Sequence, residues 1–342
     1  MAAMVKLGVV AEPIAGPSSS KPIGAFEALV KGFDRITAAP LLLLPSLVLD
    51  LLLWLGPHLK INSIVEWLVE GIVIPSNATP ALYEQIGLLR TGMLEIGARF
   101  NLLTALSSLP VGIPSLMNVR MPTETPLGLP ISVDISEPAS VIGIWLLLTA
   151  IGLGLGGFYH LWIARRASPG IEIRASWKTW VRILLLAAAA YVTVVAYLTV
   201  SVLVASFASL LLSILGVVIL FLSFSLLFWL VIYLIFTPHG IVRYEMGLLQ
   251  AVMESAAIVR WNLMGTLAFV GLVFVVNWLT SQVWLLPPEI SWFSLLALLG
   301  NAFVSSVLWV GSYIFYQERR EWLLDQRGDL TLRDLPDSPP QA

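Results

Sequence analysis

The residues to weigh first for chemistry are three histidines, His58, His160 and His239. None lies in an HExxH arrangement, and they fall at three separate helix boundaries. His58 falls on the opposite side from the other two, so a shared metal site is not expected. The chain has no cysteine, which removes thiolate nucleophiles, disulfides and Cys-based metal sites. It has no P-loop and no GxSxG elbow. Gly152-Leu-Gly154-Leu-Gly156-Gly157 has the letters of a nucleotide-binding turn, but it sits inside an apolar run with no strand before it. Gly152 and Gly156 read instead as a small-xxx-small face that admits a second helix, with Ala187–Ala190 as the partner surface. No catalytic residue, metal ligand or cofactor is expected, and the chain does not read as an enzyme.

The remaining suspects are polar groups inside apolar runs, where each is costly in hydrocarbon. Asp50 is the one acid well inside such a run, about 9 Å from its outer boundary at the helical rise. Thr149, Asn277 and Asn301 lie at about 13, 12 and 14 Å in theirs. Together they could form a polar layer in the outer half of a bundle, as a pathway or substrate niche with Asp50 as its charged member. Packing accounts for them as well. Asn277 and Asn301 lie on neighbouring helices and could bond to each other, and Asp50 could reach water, Lys60 or His58.

The elements that position these residues follow from composition. Of 342 residues, 58% are hydrophobic and 12% charged, against about 25% charged in a soluble domain. That excludes an ordinary soluble enzyme and a disordered chain. Nineteen basic against 21 acidic residues leaves no field to hold nucleic acid. Six apolar runs, near 38–56, 140–163, 180–206, 209–236, 262–286 and 292–316, are long enough to cross a bilayer. The expected fold is all-α: a polytopic six-helix membrane bundle. Ser206–Ser209 reads as the turn between the third and fourth spans, and Pro287-Pro288-Glu289 as the link between the last two.

Lys and Arg concentrate in the N-terminal tail, the 164–182 loop, Arg243, Arg260 and the C-terminal tail. Only Lys60, Arg90, Arg99 and Arg120 fall on the other side. The positive-inside rule then places both termini in the cytoplasm and residues 57–139 outside. Tryptophans mark the boundaries, Trp54 and Trp292 among the outer ones.

Between the spans, residues 1–23 read as a disordered tail and 24–36 as an interfacial helix. In that helix Phe26, Leu29, Val30 and Phe33 share one face and Glu27, Lys31, Asp34 and Arg35 the other. Outside, 61–73 forms a short helix. Thr79-Pro80 then caps a longer one, in which Leu82, Ile86, Leu89, Met93, Ile96, Phe100 and Leu103 recur as a heptad seam. That seam either folds onto 61–73 or the membrane surface, or forms an oligomerising coil. Residues 109–138 are proline-rich and read as loop, with 118–121 and 131–135 as short strands. Asn77-Ala78-Thr79 reads as a chance sequon. Residues 240–260 suggest a second interfacial helix, and 318–342 a charged cytoplasmic tail.

The stretch Leu249–Asn262, with Ala251, Ser255 and Asn262 at recurring positions, resembles the membrane domain of glycerophosphodiester phosphodiesterase-like proteins. So does the ending Tyr313-Ile-Phe-Tyr316-Gln-Glu-Arg-Arg320. The resemblance covers residues 180–320 and implies a helical bundle without the family's catalytic barrel. Two functional expectations stand together. One is a non-enzymatic scaffold or accessory subunit of a cell-envelope complex. The other is a transport component, such as an ABC-type exporter permease or a lipid or small-molecule transporter. The expected partners are the lipid bilayer and a protein partner or second copy, with no nucleic acid.

Overall fold

The computed structural model describes residues 22–74, 79–108, 111–168, 173 and 176–327. Most of the tail expected over 1–23, residues 328–342 of the one expected over 318–342, and most of the sequon lie outside these residues; residues 318–327 are not tail but continue the last helix, which runs Ser294–Arg327. The helices are α1 (Ala25–Thr37), α2 (Leu44–Leu55), α3 (Asn62–Glu70), α4 (Pro80–Arg99), α5 (Leu116–Arg120) and α6 (Pro138–Ala167). They continue with α7 (Trp177–Leu211), α8 (Ser213–Leu234), α9 (Thr237–Tyr244), α10 (Leu248–Trp261), α11 (Leu263–Trp284) and α12 (Ser294–Arg327). Two short strands, β1 (His58–Lys60) and β2 (Ser132–Asp134), pair in parallel with His58 opposite Ser132.

Among the described residues, α6, α7, α8 with α9, α11 and α12 are long and apolar enough to cross a membrane. A sixth crossing exists if α1 and Pro40–Leu55 count as one span, but these are bent by 102°. Pro40 explains the break, since its ring blocks the helical bond and pushes Ala39 out of helical geometry, to φ −144°. α1 covers the helix expected over 24–36 and is set nearly square to the Pro40–Leu55 segment. Its apolar face divides: Leu29 is buried, whereas Phe26 is 72% exposed. Gly32 of α1 rides on the backbone of Val307 and Gly311 in α12. Arg319 donates to the Ile23 carbonyl at 2.8 Å, placing the start of α1 beside the far end of α12.

α12 is the central post. In its most apolar stretch 56% of the residues are buried inside the protein, against 6% for α8 with α9 and 11% for α7 and α11. α7 and α8 form a peripheral hairpin whose corner is Leu212, in extended geometry. The turn expected at 206–209 is helix instead, because no Gly or Pro interrupts it there. Gly216 lets the Ala205 carbonyl approach to 2.8 Å from the point a Cβ would occupy. The interfacial helix expected over 240–260 divides at Glu245, whose φ is +49°. Its first part, α9, is buried in the bundle from Thr237 to Arg243. Only α10 keeps an exposed apolar edge, at Leu249, Met253 and Trp261. Ser255 ties the α8–α9 junction to α10, accepting from the Phe236 amide and donating to the Tyr233 carbonyl.

Between α2 and α6, α3 and α4 form a hairpin, with Val65 3.0 Å from the point a Cβ on Gly97 would occupy and Arg90 donating to the Ile72 carbonyl. Asp134 of β2 caps α3 by accepting from the amides of Asn62 (2.7 Å) and Ser63 (3.2 Å). The Ser63 hydroxyl bond holds the Asp134 carboxyl below the usual carboxylate range. The cap is therefore complete above the unfolded value of about pH 3.9 and is lost as pH falls through the lower folded value. Thr79 caps α4 as expected, but the helix stops at Arg99. Phe100 and Leu103 leave the seam, and residues 102–107 form a 3-10 turn. Residues 118–121, expected as strand, belong mostly to α5, whereas 132–134 is strand as expected.

The main departure is the path of residues 102–108 and 111–121, expected as surface helix and loop. Leu102, Ala105, Leu106, Val111, Ile113, Leu116 and Met117 are all buried, and several belong to the bundle's own core. A Cβ on Gly152 would stand 2.5 Å from the Leu106 carbonyl, and one on Gly156 would strike the Val111 carbonyl. The small-residue face of α6 thus receives a re-entrant stretch of backbone, not a second helix. Small residues admit any close backbone, and helix is only one case. Of the expected partner surface Ala187–Ala190, Ala187 is buried but 188–190 are exposed, and Gly157 faces Trp180 and Ile183 of the same helix, α7.

Gly156→Leu is expected to destabilise the folded protein by about 1–3 kcal/mol or more through overpacking. Gly154→Leu, where a Cβ meets open space, is expected to be neutral. Thermal unfolding of both variants in detergent, followed by size exclusion, checks the difference.

Candidate functional site

Asp50 is fully buried, and its role follows from α5. Its Oδ1 accepts from the Ser115 hydroxyl at 2.6 Å and from the Met117 amide at 2.9 Å. Ser115 in turn accepts from the Asn118 amide at 3.0 Å. Asp50 and Ser115 therefore cap the start of α5 jointly, where helix amides have no partners of their own. Neither Lys60 nor His58 is Asp50's partner.

The four expected polar residues do not form one layer. Thr149 and Asn301 are each 7% exposed, and the Thr149 hydroxyl makes no hydrogen bond. Asn277 is exposed on α11, and no side-chain hydrogen bond joins it to Asn301. Nor do the seam residues form one buried stripe. Ile86 and Met93 are half-buried, but Leu82 is 37% exposed, Leu89 54% and Ile96 64%. α3 packs beside the seam, over Arg90 and Gly97, and leaves its centre uncovered.

The other end of α5 meets the link between α11 and α12. Arg120 donates to the carbonyls of Leu285 and Pro287 and to the Ser294 hydroxyl. Burial lowers the Arg120 pKa, opposed by Glu289. Glu289 accepts from the Thr123 amide at 2.7 Å with its carboxylate and from the Trp54 indole at 3.0 Å with its carbonyl. Trp54 and Trp292, both expected at the outer boundary, meet edge to face at 6.0 Å.

A second buried polar group runs along α12. His160 Nδ1 lies 3.2 Å from the Tyr313 hydroxyl, and His239 Nε2 lies 2.9 Å from the Ser312 hydroxyl. The Tyr159 and Ser306 hydroxyls are 2.9 Å apart. The His239 and Tyr313 rings are 4.4 Å apart, and the His160 ring stands edge-on to Trp309 at 4.3 Å. One ring nitrogen of each histidine, Nε2 of His160 and Nδ1 of His239, has no partner. Toward the far end of α12, Glu254 accepts from the Tyr316 hydroxyl and from Arg320 Nε, the latter at 3.1 Å. The Arg320 guanidinium lies 3.9 Å over the Tyr244 ring. Sequence reasoning placed His160 and His239 at separate boundaries and dismissed them. The available signal was the helical spacing of Ser306, Trp309, Tyr313, Tyr316 and Arg320 on one face of α12. Among the described residues no group of three or more His, Asp or Glu could hold a metal ion.

By helix length and hydropathy the chain is a multi-pass helical membrane protein. No family model, curated protein or solved structure matches it.

The cap assignment predicts unequal effects of two changes at one position. Asp50→Ala leaves the α5 amides unpaired and is expected to cost about 1–3 kcal/mol of stability. Asp50→Asn keeps the accepting oxygen and is expected to lose far less. Thermal melts of the two purified variants, with Ser115→Ala beside them, distinguish a cap from a residue that contributes nothing to folding.

Proposed function

We propose that this is a non-enzymatic scaffold or accessory subunit of a cell-envelope complex, with both termini cytoplasmic and the α3–α4 hairpin outside. The observation that carries the reading is the surface of that hairpin. Leu89, Ile96, Leu88 and Trp67 are 54%, 64%, 69% and 66% exposed. The hairpin is nevertheless anchored at its base. Asp134 caps α3, Asn101 accepts from the Leu59 amide at 3.0 Å, and Arg99 lies 3.8 Å from Glu289. A fixed element with uncovered apolar side chains suits docking of a protein partner better than it suits a mobile loop. The positive-inside distribution supports the orientation. The resemblance of residues 180–320 to a non-catalytic membrane domain is compatible with this role.

A second reading, a transport component, draws on the two buried imidazoles, because ionisable groups among spanning helices are functional suspects by default. That reading expects Asp50→Asn to abolish function without lowering expression. The scaffold reading expects the variant to stay functional, because the cap survives.

The scaffold reading is tested by Leu89→Glu combined with Ile96→Glu. Both positions are exposed, so folded stability is expected to change by only about 0.5 kcal/mol. In-cell cross-linking, mild-detergent purification and mass spectrometry should then show a partner that is present with the native chain and lost from the variant. An identical partner list for both would contradict the reading.

A further inference from the structure

Ionisable and hydroxyl side chains form a file through the middle of the bundle, and it runs from near one end of α12 to the other. Asp50 stands one turn before Trp54, which meets Glu289 and Trp292 just ahead of α12. Glu254 accepts from Arg320, near the last turns of α12. Ser46, one turn before Asp50, lies on the same face of α2, and both are fully buried. The Ser46 hydroxyl faces the Tyr159 hydroxyl without bonding to it, and Tyr159 lies 2.9 Å from the Ser306 hydroxyl. The Tyr159 and His160 rings stand edge to face at 5.9 Å. His160 Nδ1 meets the Tyr313 hydroxyl, and the Tyr313 ring lies 4.4 Å from that of His239. The His239 and Tyr316 rings are 5.6 Å apart, and the Tyr316 hydroxyl donates to Glu254. From Ser306 to Tyr316 the file follows one face of α12 for about 15 Å at the helical rise.

Packing does not account for every group in this file. Asp50 Oδ1 completes the cap of α5, but Asp50 Oδ2, Ser46 Oγ, His160 Nε2 and His239 Nδ1 make no hydrogen bond. Unpaired polar atoms are costly in hydrocarbon, and single waters are the partners that such buried sites take. Both ends of the file reach the surface. Ser115, bonded to Asp50, is half-buried, and the Glu254 side chain is 15% exposed. We propose that the file relays protons between the two ends of the bundle, with Asp50 and Glu254 as its terminal carboxyl groups. Hydroxyls and imidazoles suit that task because each can accept a proton on one side and release another on the other. A proton taken up by the Asp50 carboxylate moves as each group gains one from its neighbour and gives one to the next. It leaves from Glu254, so every bond made is matched by one broken and no group keeps a net charge. Ionisable groups in series among spanning helices mark such relays. A solute or hydrated ion fits less well, because the His160 and Trp309 rings pack at 4.3 Å and those of His239 and Tyr313 at 4.4 Å. The file lies in the bundle and not in the α3–α4 hairpin, so the inference does not rest on the scaffold reading; it names a cargo for the transport reading.

The test is proton flux into liposomes of phosphatidylethanolamine and phosphatidylglycerol that hold the full chain and a trapped pH-sensitive dye. A potassium gradient with valinomycin supplies the driving potential. Asp50→Asn keeps the α5 cap and removes the terminal carboxyl group. Tyr313→Phe keeps the ring packing and removes the hydroxyl between the two imidazoles. Thr199→Val is the control, since Thr199 is exposed on α7 and bonds only within its own helix. The native chain and Thr199→Val are expected to pass protons faster than empty vesicles do. Asp50→Asn and Tyr313→Phe are expected to fall to the empty-vesicle rate while still eluting as folded protein in size exclusion. Ser46→Ala, which removes only a small hydroxyl, repeats the test for a variant that does not fold. A native chain no faster than empty vesicles, undiminished flux in any folded file variant, or potassium passing as fast as protons without valinomycin would overturn the proposal. Partner loss from the α4 double variant decides the scaffold reading separately.

Discussion

Backbone that leaves the helix among membrane-spanning elements finds no water there, so its amides and carbonyls must be satisfied by the protein itself. Residues 102–108 and 111–121 impose that requirement here, and short polar side chains meet it. Asn101 Oδ1 accepts from the amides of Leu59 and Leu103. The Ser107 hydroxyl donates to the Ile113 carbonyl at 2.6 Å. Asp50 and Ser115 take the first amides of α5. Around this stretch the neighbouring elements are shaped to fit. α6 carries Gly152 and Gly156 where the backbone presses against it, and Arg120 at the end of α5 clamps the α11–α12 link.

The bundle consequently has two kinds of helix. α12, α6, α9 and the broken pair α1 and α2 enclose the core, together with the re-entrant stretch. The α7–α8 hairpin and α11 stand at the periphery and expose most of their surface. Polar groups follow the same division. Those along α12 are paired within the protomer: Tyr313 with His160, Ser312 with His239, and Arg320 with Glu254. Breaking one member of the Arg320–Glu254 pair would leave a charge largely buried, which is costlier than losing a surface pair.

Much of the architecture was legible in the sequence, because hydropathy over about 20 residues reports burial in lipid directly. The boundaries near Trp54 and Trp292 and the Thr79 cap were legible for equally local reasons. The re-entrant path was not. Residues 102–121 contain only short apolar pieces between prolines, with no period that distinguishes a buried loop from an exposed one. The partner of Asp50 lies 65 residues away in sequence, and nothing near Asp50 signals a helix start. Gly152 and Gly156 announced a close approach but not what approaches. The seam of α4 misled for a related reason: its spacing is genuine, but α3 packs to one side of it and the helix ends before Phe100.

The central claim is that residues 102–108 and 111–121 are threaded into the bundle, and thiol accessibility tests it most directly. Ile113→Cys and Met117→Cys replace side chains that are 5% and 0% exposed, whereas Leu129→Cys replaces one that is 81% exposed. Each variant, purified in mild detergent, is treated with a bulky maleimide before and after denaturation. The account predicts rapid labelling of Leu129→Cys and protection of the other two until the chain unfolds. Equal labelling of all three in the folded protein, with helical content intact, would contradict it.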